Sequence, residues 1–136
     1  MNILIVEDNV EFLNTIVEEL KVEGHSVITG CDGGNGFKLY KLNKNWVDLI
    51  ITDYQMPFRN GDVFIKHVRT SNPVVPIIGM TAGGTYFSDL KKAGANDLWN
   101  KESYQVLEDS IKELLPKVVL YQKYYKEKVW EYYLAY

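Results

Sequence analysis

The chain has 136 residues, a formal net charge of -3 and one cysteine. A chain of this length is expected to fold as one domain, and its acidic balance argues against direct binding to nucleic acid, which needs a basic surface. The single cysteine excludes an internal disulfide and fits a reducing compartment, and no apolar stretch approaches the roughly 20 residues of a membrane span. We therefore expect a cytoplasmic domain that contacts neither nucleic acid nor membrane.

Short apolar runs alternate along the chain with segments of helical periodicity. The runs are rich in β-branched residues, too short for helices and almost uninterrupted, which is typical of parallel strands covered on both faces. They predict strands at residues 3–6, 27–29, 47–52, 75–80 and 97–100. Alternation of strand and helix predicts a doubly wound α/β fold, with a five-stranded parallel sheet flanked by helices.

The composition changes near the C-terminus. Pro116 lacks a backbone donor, so we predict that it ends or kinks the fifth helix. We therefore divide the chain into a domain of residues 1–115 and a helical tail of residues 116–136. The tail is rich in aromatic residues, namely Tyr121, Tyr124, Tyr125, Trp130, Tyr132, Tyr133 and Tyr136.

Three roles stay open for this tail. It can pack as an extra helix on the domain's own surface, or it can dock on a partner, since Tyr and Trp are favoured at interfaces. Self-association through a homodimer is the third, because one heptad frame places apolar residues at its a and d positions. Those residues are Leu107, Ile111, Leu114, Val118, Tyr121, Tyr125, Tyr132 and Ala135.

Polar side chains stand where four of the predicted strands end. Glu7 and Asp8 follow the first strand, and Asp53 ends the third. Thr81 ends the fourth strand and Lys101 the fifth. Ligands of an open parallel sheet bind beyond the carboxyl ends of its strands, so we expect these side chains in one site. Three carboxylates repel one another, which predicts a hard divalent cation, Mg²⁺, that bridges to a phosphoryl group.

Several stretches together closely resemble the receiver domain of two-component response regulators. They lie in the family's order and spacing over roughly residues 1 to 115, and they are residues 3–9, 52–57, Gly61, residues 80–82 and residues 93–95 followed by Lys101. The resemblance implies a flavodoxin-like fold. It also implies a phosphorylation-dependent signalling switch, whose chemistry is limited to phosphotransfer and loss of its own phosphate.

Carried over by position, the resemblance implies that Asp53 is the phosphoacceptor. The donor would be a phosphohistidine on a histidine kinase or a histidine phosphotransfer protein, and the switch would control a downstream protein that the sequence does not identify. Thr81 and Lys101 would contact the phosphoryl oxygens. The loop after the fourth strand would then shift, with Gly83 and Gly84 giving it freedom to do so.

The resemblance also implies how Mg²⁺ is held. Asp8 would bind the ion directly and Glu7 through water. Asp53 would share it, and the backbone carbonyl of Gln55 would complete the protein ligands.

Two positions depart from the family pattern. Receivers usually carry an aromatic residue three positions before the lysine, where its rotation accompanies the movement of the threonine, but this chain has Leu98. We assign Leu98 to the switch together with Thr81, because leucine can fill the vacated space. It has no ring or hydroxyl to swing, so Trp99 and Tyr86 are candidates to substitute for the aromatic residue. Glu102 stands where the family usually has proline, so the loop after the fifth strand is expected to differ.

Two other functions stay open. The departures and the unusual tail favour an adaptor that binds its partner regardless of phosphorylation. The chain could also be the receiver portion of a longer hybrid kinase or effector. We assign no catalytic or metal-binding role to His25, His67 or Cys31, because no acidic or cysteine cluster accompanies them at ligand spacing.

Overall fold

The computed structural model describes residues 1–126, and the sheet in it has five parallel strands in the order β2-β1-β3-β4-β5. The strands are β1 (Asn2–Val6), β2 (Ser26–Gly30), β3 (Leu49–Asp53), β4 (Ile77–Thr81) and β5 (Asp97–Asn100). They alternate with α1 (Val10–Val22), α2 (Gly33–Asn43), α3 (Gly61–Ser71), α4 (Phe87–Ala93) and α5 (Leu107–Tyr121). The predicted five-stranded doubly wound fold is confirmed.

Both faces of the sheet are buried, because successive side chains of a strand point to opposite faces. On one face, Leu4 and Ile50 pack with Phe64 of α3 in one core cluster. On the other face, Ile5 and Ile51 pack in a second cluster that includes residues of α1 and α5. This explains the almost uninterrupted hydrophobicity of the strand sequences.

The strand order reverses between β1 and β3. From β1 the chain passes to β2 on one side, and β3 then returns to the other side of β1. The loops that follow β1 and β3 therefore run in opposite directions, which opens a crevice beyond the carboxyl ends of these two strands. The fold therefore puts the ends of these two strands at its expected binding position.

The fifth helix does not end at Pro116. It continues to Tyr121, and a π-helical turn follows at Gln122–Lys126. Pro116 is exposed within the helix, whereas Val118 and Tyr121 beyond it are buried. The predicted end of the helix at Pro116 is therefore wrong, since burial of the following turn compensates for the missing backbone donor, whereas the alternative of a kink there stays a prediction. The boundary that we drew between residues 115 and 116 falls inside α5.

The first part of the tail packs on the domain's own surface. The Tyr121 hydroxyl accepts a hydrogen bond of 3.0 Å from the buried Asn72 side chain, and Tyr125 stacks on Tyr121 with 5.3 Å between ring centroids. Lys126 Nζ donates to Asp48 Oδ1 at 2.5 Å. Tyr121 is 5% exposed, and this burial raises the pKa of its hydroxyl.

These contacts bear on the three roles of the tail. The heptad positions from Leu107 to Tyr121 are buried in the domain's own core, so they are not available as a seam for a second chain. The aromatic residues of the tail beyond Lys126, together with Ala135, lie outside the described residues. Within residues 1–126, no helix is long and apolar enough to cross a membrane.

Candidate functional site

The five predicted site residues lie together at the carboxyl edge of the sheet. Asp53 is the last residue of β3 and Thr81 the last of β4. Glu7 and Asp8 directly follow β1, and Lys101 directly follows β5. Glu7, Asp53 and Thr81 are buried, whereas Asp8 is exposed. The site is therefore a recess with one acidic side chain at its open rim.

Lys101 links two of the acidic side chains. Its ammonium nitrogen lies 2.7 Å from Glu7 Oε2 and 3.1 Å from Asp53 Oδ1. The same nitrogen lies 4.5 Å from the centroid of the Phe12 ring, a cation–π contact. The ammonium of Lys101 is thus held by two carboxylates and one aromatic ring.

Burial weakens the acidity of the two enclosed carboxyl groups. Loss of hydration raises the pKa of Glu7 from its ordinary 4.5 to about 7, although the hydrogen bond from Lys101 works in the opposite direction. The pKa of Asp53 is raised as well, again mainly by burial, and Lys101 opposes this rise. Lys101 therefore compensates only part of the cost of holding these carboxylates in the recess.

The acidic cluster fits a divalent cation. Glu7, Asp8 and Asp53 each offer a carboxylate oxygen, and these atoms all lie within 4.8 Å of one another. An all-oxygen set of this kind suits a hard ion such as Mg²⁺, which keeps part of its water shell. The donor set and the shortage of positive charge both agree with the predicted metal site.

A glycine brings α3 close to Asp53. The Gly61 N–H donates to the carbonyl of Tyr54 at 2.7 Å. A Cβ atom at Gly61 would lie 2.0 Å from the carbonyl oxygen of Asp53, a separation that no side chain tolerates. Gly61 therefore allows the loop between β3 and α3 to fold tightly beside Asp53.

The sequence reasoning missed a pair of stacked rings beside Asp53. Tyr54 and Tyr86 lie with their ring centroids 4.0 Å apart and their planes 5° from parallel. Gln55 Nε2 also donates to the Tyr86 hydroxyl at 3.4 Å. Tyr86 is one of the two residues considered as a substitute for the family's aromatic residue, but nothing in the sequence indicated Tyr54 as its partner.

The other candidate, Trp99, is fixed elsewhere. It is 6% exposed, and its indole nitrogen donates to the carbonyl of Gln105 at 2.9 Å. Leu98 is half-buried and packs against the core cluster of the opposite face of the sheet. Neither side chain supplies a ring that can move between an exposed and a buried position.

Asn100 shapes the loop that contains Glu102 and was also missed. Its side-chain oxygen accepts hydrogen bonds from the backbone N–H groups of Gly83 and Glu102, at 3.1 and 2.9 Å. The peptide bonds among residues 1–126 are all trans, including the one before Glu102. Asn100 therefore connects the loop after β4 to the loop that contains Lys101.

The two histidines have neighbours unrelated to this site. His25 Nε2 lies 2.9 Å from a carboxylate oxygen of Glu108. His67 Nδ1 lies 3.2 Å from a guanidinium nitrogen of Arg59. His25 Nδ1 also lies 3.1 Å from the N-terminal amine of Met1. Among residues 1–126, the only acidic or histidine cluster suited to a metal is the one formed by Glu7, Asp8 and Asp53.

A five-stranded parallel sheet with an acidic cluster and a lysine at its carboxyl edge is the architecture of a receiver domain. Residues 3–112 match the model of the response regulator receiver domain family, and the chain belongs to this family. Its members are signalling domains of two-component systems. The resemblance seen in the sequence is thereby confirmed.

Curated relatives are longer proteins that contain a similar segment. The chain is 33% identical over 121 residues to the transcriptional regulatory protein RprY of Bacteroides fragilis, covering 87% of this chain and 50% of RprY. It is 29% identical over 126 residues to the transcriptional regulatory protein GlrR of Escherichia coli, covering 85% of this chain and 27% of GlrR. The chain thus spans half or less of the length of these relatives.

Solved receiver domains have the same fold. A receiver domain protein from Clostridium thermocellum superimposes with a TM-score of 0.79 at 22% identity, covering 89% of this chain and 96% of that one. The receiver domain of a sensor histidine kinase from Pseudomonas aeruginosa PAO1 superimposes with a TM-score of 0.74 at 25% identity, covering 86% and 96%. That second structure holds a magnesium ion in its active-site cleft.

Proposed function

We propose that the chain is a phosphorylation-dependent switch in which Asp53 accepts a phosphoryl group from a phosphohistidine. The donor is a histidine kinase or a histidine phosphotransfer protein. A carboxylate oxygen of Asp53 forms a bond to phosphorus, the phosphorus–nitrogen bond breaks, and the imidazole leaves with the electron pair. The observation that carries this proposal is the position of Asp53 at the strand-order reversal, 3.1 Å from the Lys101 ammonium and beside two further carboxylates.

The neighbouring side chains have separate roles in this proposal. Glu7, Asp8, Asp53 and the backbone carbonyl of Gln55 hold Mg²⁺, which when bound neutralises negative charge on the carboxylates and the phosphoryl oxygens. Lys101 donates to a phosphoryl oxygen through the ammonium that the structure places between Glu7 and Asp53. Thr81 ends the neighbouring strand, where its hydroxyl can donate to another of these oxygens.

The switch acts by presenting a changed surface to a downstream protein. Phosphorylation adds a charge of about -1.5 to -2 and three acceptor oxygens beside Thr81 and Lys101, which favours movement of Thr81 toward Asp53 and keeps Lys101 in contact there. Because the matched relatives are longer proteins, the same switch could serve as the receiver part of a longer regulator or hybrid kinase. The length of the native reading frame decides between these two settings.

A direct test uses acetyl phosphate, a small phosphoryl donor, so that no cognate kinase is needed. We expect intact-mass spectrometry to detect one added phosphoryl group with Mg²⁺, and we expect fragmentation to locate it on Asp53. EDTA, added before the donor, should prevent the modification because it removes Mg²⁺. The negative charges of the donor and of the three carboxylates are then not neutralised. Absence of an adduct with Mg²⁺, or an unchanged yield in EDTA, would contradict the proposal.

Metal binding can be tested without phosphorylation. We expect Mg²⁺ to raise the thermal unfolding midpoint, since a ligand that binds only the folded state stabilises it by about 2.7 kcal/mol at 100 times its dissociation constant. Asp8→Asn should remove most of this rise. The matched control is Asp109→Asn, because Asp109 is an exposed aspartate in the first turn of α5. Equal responses of the two variants to Mg²⁺ would exclude Asp8 as a ligand.

A further inference from the structure

Two loops flank the acceptor, and a pair of tyrosines connects them. Tyr54 directly follows Asp53 and begins the loop between β3 and α3, whereas Tyr86 ends the loop between β4 and α4. Their rings stack 4.0 Å apart and 5° from parallel. The amide of Gln55, the next residue after Tyr54, also donates to the Tyr86 hydroxyl at 3.4 Å. The ring pair thus joins the acceptor segment to the loop that follows Thr81.

The two members of the pair are held differently. The Tyr54 backbone is fixed on both sides, because its N–H donates to the carbonyl of Met80 at 3.1 Å and its own carbonyl accepts from Gly61 at 2.7 Å. Tyr86 follows Gly83 and Gly84, whose φ angles are +70° and +75°. Glycine adopts such angles and changes them at little cost, so this loop can move while Tyr54 stays in place.

The usual aromatic position of the family does not provide such a connection here. Leu98 has no ring and packs against the core cluster that also contains Leu90 and Phe64. Tyr54 packs against the same cluster, whereas the half-buried Tyr86 lies outside it, so Tyr86 can move away from Tyr54 without opening the core. The ring pair therefore connects the loop of Tyr86 to the residue next to Asp53, and Leu98 has no ring with which to make such a connection.

We propose that the Tyr54–Tyr86 stack holds the loop between β4 and α4 in its unphosphorylated position and separates when a phosphoryl group occupies Asp53. This inference rests on the proposed function and specifies how the same site is regulated. Movement of the Thr81 hydroxyl toward the phosphoryl group displaces the loop that contains Tyr86, while Tyr54 stays in place directly after β3. Part of the binding free energy is then spent on separating the rings, so the stack opposes phosphorylation.

The test measures binding of beryllofluoride, which occupies an aspartate carboxylate as a phosphoryl group does. Dissociation constants with Mg²⁺ are determined by titration calorimetry for the wild type, Tyr54→Ala, Tyr86→Ala and the double variant. Loss of the stacking contact between two aromatic rings changes an equilibrium constant by about two- to twelvefold. We expect each single variant to bind beryllofluoride more tightly by that factor, and the double variant to bind no more tightly than either.

Two control variants separate the ring contact from general effects. Tyr86→Phe keeps the ring and loses only the hydroxyl, whose hydrogen bond from Gln55 is long and exposed, so its affinity should stay close to that of the wild type. Tyr124→Ala removes a tyrosine that is 53% exposed in the turn after α5, and it should have no effect. In ligand-free Tyr86→Ala, the amide resonances of Gly83 and Gly84 should shift toward their positions in wild type bound to beryllofluoride.

Three results would overturn the inference. The first is an affinity that is unchanged or weaker in both single variants, and the second is additive effects in the double variant. The third is a set of glycine resonances that do not move in Tyr86→Ala. A wild type that binds no beryllofluoride would instead refute the proposed function itself, so the two failures are distinguishable.

Discussion

Replacing Asp53 with asparagine should abolish phosphorylation by acetyl phosphate in the presence of Mg²⁺. Asparagine has nearly the shape of aspartate, but its amide lacks the anionic oxygen that attacks phosphorus. Glu7 cannot substitute, because it is 1% exposed and its carboxylate is paired with Lys101 at 2.7 Å. The measurement is the added phosphoryl mass after a fixed incubation, compared between the variant and the wild type.

Loss of phosphorylation in this variant should not reflect unfolding. Asp53 is one of three clustered carboxylates, of which Lys101 contacts two, so removal of one negative charge reduces repulsion in the recess. We expect the thermal midpoint of Asp53→Asn to equal or exceed that of the wild type. Asp109→Asn serves as the matched control and should be phosphorylated normally. An adduct of normal yield on Asp53→Asn would show that the acceptor is another residue.

Tyr121→Ala should lower the free energy of unfolding by about 3–5 kcal/mol, the usual cost of truncating a buried aromatic side chain to alanine. Tyr121 is 5% exposed, stacks on Tyr125 and accepts a hydrogen bond from Asn72. The substitution leaves a cavity and also removes the partner of a buried amide. Urea denaturation followed by circular dichroism measures the change.

Two variants resolve the contributions to this loss. Tyr121→Phe keeps the ring and removes only the hydroxyl that accepts from Asn72, so it should cost about 1–2 kcal/mol. Tyr124→Ala, at a half-exposed position nearby, should stay within about 0.5 kcal/mol of the wild type. If Tyr121→Ala costs no more than Tyr124→Ala, then α5 beyond Pro116 does not contribute to the core, and a partner-binding role for that turn would regain support.

A stabilising role for this part of α5 changes the interpretation of the apolar stripe, the row of apolar residues that the heptad frame places at its a and d positions. The stripe has the spacing of a coiled-coil seam, but the same spacing is required of any helix that packs one face on a sheet. The burial of Leu107, Ile111 and Val118 in the described chain accounts for it without a second molecule. A homodimer would therefore need a surface other than the Leu107–Tyr121 part of this frame.

The sequence alone determined the fold class and the membership of the site. The hydrophobic periodicity and the lengths of the apolar runs distinguished strands from helices. Alternation of strands and helices along the chain then allowed few topologies. In a parallel sheet the carboxyl ends of all strands lie at one edge, so the sequence was enough to assign Asp53, Thr81 and Lys101 to a common site. The shift of β3 and β4 by one or two residues from their predicted bounds did not affect this result, because the polar residue at each strand end was recognised.

The tertiary structure decided what depended on contacts between distant segments. Local chemistry predicts that Pro116 ends a helix, but burial of Tyr121 against Asn72 extends the helix past it. The ion pair between Lys101 and Glu7 and the stack of Tyr54 on Tyr86 likewise join residues from separate loops. The periodicity of a sequence indicates on which face of its helix or strand a side chain lies. The residue that this side chain contacts depends on how that helix or strand packs against the others.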